Sequence, residues 1–175
     1  MSESKACSAR SPLAALVRGL VASAVGIVAM DLLWYYRYKR GGGESGLIDW
    51  EFSVGLNDWS NASAPGQVAK RLYEGYFQKE LPSCWTALTQ DVVHWAYGLF
   101  WGTLYGIVTG AGRPARVVSG LLFGSLVWVT RYELLAPAKI YKPLWEYDAG
   151  TLAKDYSAHL VYGLATAIAF RGQRN

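Results

Sequence analysis

Apolar runs alternate with polar stretches four times along the chain. The first run, 12–36, reads PLAALVRGLVASAVGIVAMDLLWYY. At 1.5 Å of rise per residue it is long enough for a hydrocarbon core of about 30 Å. It ends in Trp34, Tyr35, Tyr36 and Arg37, an interfacial aromatic belt with a basic flank, and offers no small-residue cleavage site of a secretory signal. Three more runs follow at about 84–109, 117–135 and 151–170. Gly41, Gly42 and Gly43 stop the first helix and begin a polar connection over 37–83. Within it, Pro65 opens an amphipathic helix over about 65–79. Val68, Leu72, Tyr73, Tyr76 and Phe77 fall on one side, with Gln67, Lys70, Arg71 and Glu74 off it. The expectation is an all-α fold: one integral-membrane domain of four helices, an amphipathic helix lying at the interface, and a disordered tail over 1–11.

The second run predicts how the helices meet. Its core, DVVHWAYGLFWGTLYGIVTG, repeats glycine every fourth residue at Gly98, Gly102, Gly106 and Gly110. That spacing lines one side of a helix with missing side chains, where another helix can approach closely. Gly120 and Gly124 do the same in the third run, and Ala15, Gly19 and Ser23 in the first. Such contacts serve packing within the bundle or across a homodimer.

The runs also repeat in order. His94-Trp95-Ala96-Tyr97-Gly98-Leu99 matches His159-Leu160-Val161-Tyr162-Gly163-Leu164, and Val17-Arg18-Gly19-Leu20 matches Val118-Ser119-Gly120-Leu121. Asp31-Leu32-Leu33 is echoed, one residue out of register, by Glu133-Leu134-Leu135. Two helical hairpins of the same orientation follow, related by an axis along the membrane normal.

Composition agrees with a membrane setting: 52% hydrophobic residues, 8 Trp and 12 Tyr in 175 residues. The net charge of +4 sits at the ends of apolar runs, a pattern of topology and not of nucleic-acid binding. Lys5, Arg10, Arg18, Arg113, Arg116, Arg171 and Arg174 place both termini on the cytoplasmic side. Cys7 and Cys84 have no metal or disulfide spacing. No phosphate-binding loop, GxSxG or HExxH occurs, so no catalytic residue is assigned.

Six ionisable groups fall in or near the runs: Asp31, Asp91, His94, Glu133, Asp155 and His159. Alternating helix direction puts all six in one leaflet, away from the termini, and each is a functional candidate because burial there costs several kcal/mol. The simplest reading is structural, with each His bonded to a carboxylate on a neighbouring helix. A di-iron site would use Asp31 and Glu133 with Asp91-x-x-His94, although Asp155-x-x-x-His159 is one residue too long for the matching half. Bis-histidine haem would set His94 opposite His159, with Gly98 and Gly163 making room for the macrocycle. The absence of any cofactor is the default.

Four runs, a long first connection, a His in the second run and the closing stretch LWEYDAGTLAKDYSAHLVYGLATA resemble the YagU-like small inner-membrane proteins of bacteria. The resemblance implies a bacterial inner-membrane location and carries no activity with it. The expected role is a scaffold or subunit of a membrane complex, with the bilayer, a second copy or a larger assembly as partner. A proton- or metal-linked transporter or a metalloprotein is the alternative.

Overall fold

In the computed structural model, which describes residues 12–110 and 116–173, the regular structure is helical throughout. Six α-helices follow in order: α1 Pro12–Arg40, α2 Leu47–Glu51, α3 Ala64–Phe77, α4 Thr86–Gly110, α5 Val117–Leu135 and α6 Ala149–Gly172. The tail 1–11, with Cys7, and the turn carrying Arg113 lie outside the described residues. Helix α1 runs four residues past its expected end, to Arg40, because Gly42 takes a left-handed φ of 92° that halts it. Helix α6 begins where Asp148 caps it, its Oδ1 accepting from the Thr151 amide at 2.9 Å. The short α2 carried no periodic signal and was not expected.

Helices α1, α4, α5 and α6 form the bundle. Helix α1 packs on both α4 and α6, and α6 also packs on α5. All three pairs are antiparallel. Arg37 of α1 donates to Lys154 O at 2.7 Å at one end of α6, and Gln173 donates to Arg18 O at 3.3 Å at the other. The α1/α4 and α5/α6 seams are lined by small residues. A Cβ placed on Gly106 would lie 2.6 Å from Gly19 Cα and 2.6 Å from Ala15 O, and one on Gly102 would collide with Ser23. In the second seam a Cβ on Gly120 would lie 2.7 Å from Gly163 O, and one on Gly124 would strike His159 O. Backbone therefore meets backbone along both seams.

The two seams differ in register. The repeat matches Gly19 with Gly120 and Gly102 with Ala167. Gly19 sits against Gly102 and Gly106, whereas Gly120 sits against Gly163 and Ala167, one helical turn away. The second hairpin is slipped by one turn relative to the first.

Helices α4 and α5 close the ring differently. They are bridged by aromatic side chains, not by backbone approach. Tyr105 stacks against Phe123 at 4.8 Å and meets Phe170 edge-on at 5.8 Å, while Phe123 lies 5.4 Å from Tyr162. This wedge fills the end of the bundle nearer the chain termini. Towards the other end the α4/α5 gap stays open.

The interior joins an apolar core of Ile27, Val127, Tyr162 and Phe170 to buried polar groups, and large apolar side chains also cover the outside. Ser23, Thr86, Thr109, Thr166, Asp31, Asp155 and His159 are buried, together with Ala22, Ala158 and Ala167. Val21, Val25 and Leu32 of α1, Phe100 and Val108 of α4, and Leu122 and Leu126 of α5 are exposed. Among the described residues α1 alone is long and apolar enough, by length and composition, to cross a membrane, with a stretch of mean hydropathy 2.1. The other three helices carry glycines, tyrosines and charges that lower their hydropathy.

The expected helix 65–79 appears as α3, packed on α4. Gly66 is buried against Gln90, and Gln90 Oε1 accepts from the Ser63 amide at 2.7 Å. Its stripe of Leu72, Tyr76 and Phe77 faces outward instead of into the bundle, with Tyr76 82% exposed.

Overpacking a tight contact costs about 1–3 kcal/mol. Gly106→Leu, which drives a side chain into Gly19 and Ala15, lowers the melting temperature in detergent by several degrees. Leu122→Ala, on an exposed position of α5, leaves it within about a degree. Thermal unfolding followed by circular dichroism distinguishes the two.

Candidate functional site

The open end of the α4/α5 gap is a cleft of about 860 Å³. Asp31 and Met30 of α1, Gln90, Asp91 and His94 of α4, Arg131 of α5 and Asp155 and His159 of α6 line it, with Glu51 of α2 and Ser53 reaching in from the first connection. Five of the six candidate residues thus share one cleft, and they divide into two separate networks.

The first network joins α1 to α4. His94 Nε2 lies 3.1 and 3.3 Å from the two carboxylate oxygens of Asp31. Since a carboxylate accepts, Nε2 carries the hydrogen. Asp91 turns away from this pair, one helical turn towards the loop. Its Oδ1 accepts from Ser53 Oγ at 3.1 Å, and Ser53 Oγ in turn accepts from Gln90 Nε2 at 2.7 Å. Glu51 Oε1 accepts from Trp95 Nε1 at 3.3 Å, so the α2 segment is latched over the cleft. Partial burial, with the Asp31 charge nearby, raises the Glu51 pKa above the usual carboxylate range. A raised folded-state pKa favours the protonated form, so the stability of this buried placement falls as pH rises through that value, although the Trp95 hydrogen bond itself favours the carboxylate.

The second network joins α5 to α6 and centres on Asp155. Its Oδ2 accepts from Arg131 Nη2 at 2.6 Å, from Tyr132 Oη at 2.8 Å and from Trp128 Nε1 at 3.0 Å. His159 Nδ1 lies 2.9 Å from the Asp155 backbone oxygen, which can only accept, so Nδ1 carries a hydrogen. The Arg131 guanidinium also lies over the Tyr141 ring, 5.0 Å from its centroid. Burial pushes the Tyr141 hydroxyl pKa up to about 12.

Two expectations are corrected here. Glu133 is exposed and joins neither network. Arg131, which is not among the six candidates, holds the place expected of Glu133. The face of α5 that meets α6 carries Gly120, Gly124 and Val127, and Arg131 continues that period. Glu133, two residues on, points roughly 200° away at 100° per residue. The one-turn slip adds to this, leaving His159 against the bare backbone of Gly124 where His94 meets Asp31.

The cofactor alternatives lose their geometry for the same reasons. Among the described residues no three or more His, Cys, Asp and Glu side chains are grouped to hold a metal ion. Glu133 faces out, and Asp155 Oδ2 already accepts three donors. The haem reading needs open space beside Gly98 and Gly163. Instead Gly98 borders only a small cavity beside Ile27 and its carbonyl accepts from Tyr162 Oη at 2.6 Å, while Gly163 is pressed on Gly120 and Gly124.

A second, more apolar cavity of about 240 Å³ adjoins the polar cleft and shares His94, Arg131 and His159 with it. Ile27, Val68, Tyr97, Val127, Leu135 and Tyr162 are among its walls. Among the described residues, Arg131 Nε and Tyr97 Oη are buried polar atoms without a hydrogen-bond partner. Sequence reasoning missed this cavity because it arises from the gap between α4 and α5, which no residue spacing announces.

No family model, curated protein or solved structure matches the chain.

Removing one partner of a buried ion pair costs about 3–5 kcal/mol, reduced here because Arg131 is partly exposed. Asp155→Ala therefore lowers stability by about 2–3 kcal/mol. Glu133→Gln changes it by less than about 0.5 kcal/mol. Equal effects at the two positions in urea or thermal unfolding would contradict the two-network geometry.

Proposed function

We propose that the chain is an integral protein of the bacterial inner membrane, crossed by α1, α4, α5 and α6, with both termini cytoplasmic, and that it works by binding and not by catalysis. The observation that carries this reading is the cover of large apolar side chains on the outside of the bundle. Val21, Phe100 and Leu122 lie outside, while Ser23, Thr166, Asp155 and His159 lie inside beside an apolar core that includes Ile27, Phe123, Tyr162 and Phe170. In water that arrangement forgoes about 25 cal/mol for each Å² of apolar surface left exposed. In lipid it forgoes nothing, and the buried polar groups hold the helices together. Trp85, Trp145 at 85% exposed and the outer stripe of α3 suit the headgroup layer, where amphipathic rings and helices settle. The resemblance to YagU-like proteins supports the bacterial location.

Within this reading the protein is a scaffold or complex subunit whose close seams make a rigid bundle and whose cleft receives a partner molecule. A proton-linked transporter is the second reading. It is favoured by one feature: the His94–Asp31 pair lines an open cleft and is not sealed between helices.

Membranes from cells producing the full chain, washed with alkaline carbonate, retain the protein in the pellet, and only detergent releases it. Release by carbonate alone would contradict the membrane reading. Reconstituted vesicles then separate its two forms. A binding protein moves no protons under an imposed pH gradient, and a transporter dissipates it in a manner lost in His94→Ala.

A further inference from the structure

The cavity of about 240 Å³ enclosed by α1, α3, α4, α5 and α6 combines three features that converge on one kind of ligand. Its size is the first. A cavity of about 150 Å³ accommodates a benzene ring, so this one takes a single ring with a few small substituents. Apolar walls are the second: Ile27, Val68, Val127 and Leu135 with the ring of Tyr162. The third is the pair of unpartnered groups, Arg131 Nε–H and Tyr97 Oη–H, on side chains that line the cavity. Leaving a donor buried and unpaired is costly, and an acceptor on a ligand recovers that cost.

Charge selects among acceptors. The adjoining cleft holds the carboxylates of Asp31, Glu51, Asp91 and Asp155 against the cations of Arg131 and, when protonated, His94. An anionic head such as a fatty-acid carboxylate would enter a region already rich in negative charge. A cationic head would face the Arg131 guanidinium at close range. An uncharged carbonyl meets both donors without either penalty.

We propose that this cavity binds a lipid-soluble molecule whose head is an uncharged carbonyl-bearing ring of the quinone class, its carbonyl oxygen accepting from Tyr97 Oη and Arg131 Nε. The inference rests on the membrane reading above, which supplies the phase from which such a molecule enters. Only binding is inferred, and no electron transfer is part of it.

The test uses the full chain in lipid nanodiscs, after carbonate washing has established that it is membrane-embedded, with tetramethyl-1,4-benzoquinone as probe and palmitate as the anionic comparison. Equilibrium dialysis gives saturable binding of the quinone, at least ten-fold tighter than palmitate. Tyr97→Phe removes one hydroxyl and weakens it about five- to ten-fold. Val68→Trp, which fills the cavity from α3, abolishes it. Because Arg131 also pairs with Asp155, it is not substituted. Palmitate binding more tightly, no saturable binding of either probe, or affinity unchanged in both variants overturns the inference. Each of those results leaves the membrane reading intact, whereas release by carbonate overturns that reading itself.

Discussion

Close approach of backbone to backbone along two seams is the constraint on which the rest of this molecule depends. Where Gly19 meets Gly106, and Gly120 meets Gly163, there is no side chain to cushion or to slide, so each hairpin has one permitted register. Dispersion between closely packed backbones is individually weak and collectively large, and it is the main attraction left when apolar side chains face a solvent as apolar as themselves. The small residues along the seams follow from that single requirement. So does the aromatic wedge of Tyr105, Phe123 and Phe170, which spans the α4/α5 side of the ring, where backbone does not approach backbone.

Register then decides chemistry. In the first hairpin it sets Asp31 opposite His94, and the pair is complete. One turn of slip in the second sets Gly124 opposite His159 and hands the carboxylate role to Asp155, on the same helix as the histidine. Asp155 is then held by three donors from α5. The two hairpins thus carry two dissimilar polar networks, one histidine bound to a carboxylate on a neighbouring helix and the other bonded to the backbone of its own helix beside the cavity. The open α4/α5 side is where these meet, and the α2 latch through Glu51 and Trp95 covers it.

Much of this was legible in the residues. Glycines four apart declared which face of α4 would be approached, and alternating helix direction declared that the polar groups would share one end. Azimuth was harder. Depth along a helix says nothing about the direction a side chain points, and Glu133 was grouped with the others on depth alone. Extending the period of Gly120 and Gly124 by seven residues would have reached Arg131. An arginine near the end of an apolar run ordinarily reads as a flank at the interface, which hid it. The slip between hairpins was not legible, because matched motifs align residues and not contacts. Ser23 stands where the repeat places Gly124, and that difference of one side chain alters how each seam closes. The cavity and the α2 latch depend on the gap left by those seams, and neither has a signature of its own.

The central claim is that the valine- and leucine-covered faces look into lipid. Its most direct test places single spin labels at Val21, Phe100 and Leu122 of the full chain, with Cys7 and Cys84 replaced by serine, and compares collisions with dissolved oxygen and with a water-soluble nickel chelate in bilayers. The account predicts that oxygen, which concentrates in hydrocarbon, dominates at all three positions, while a label at Lys79 in the polar connection reports the nickel chelate. Nickel access at Val21, Phe100 and Leu122 equal to that at Lys79 would contradict it.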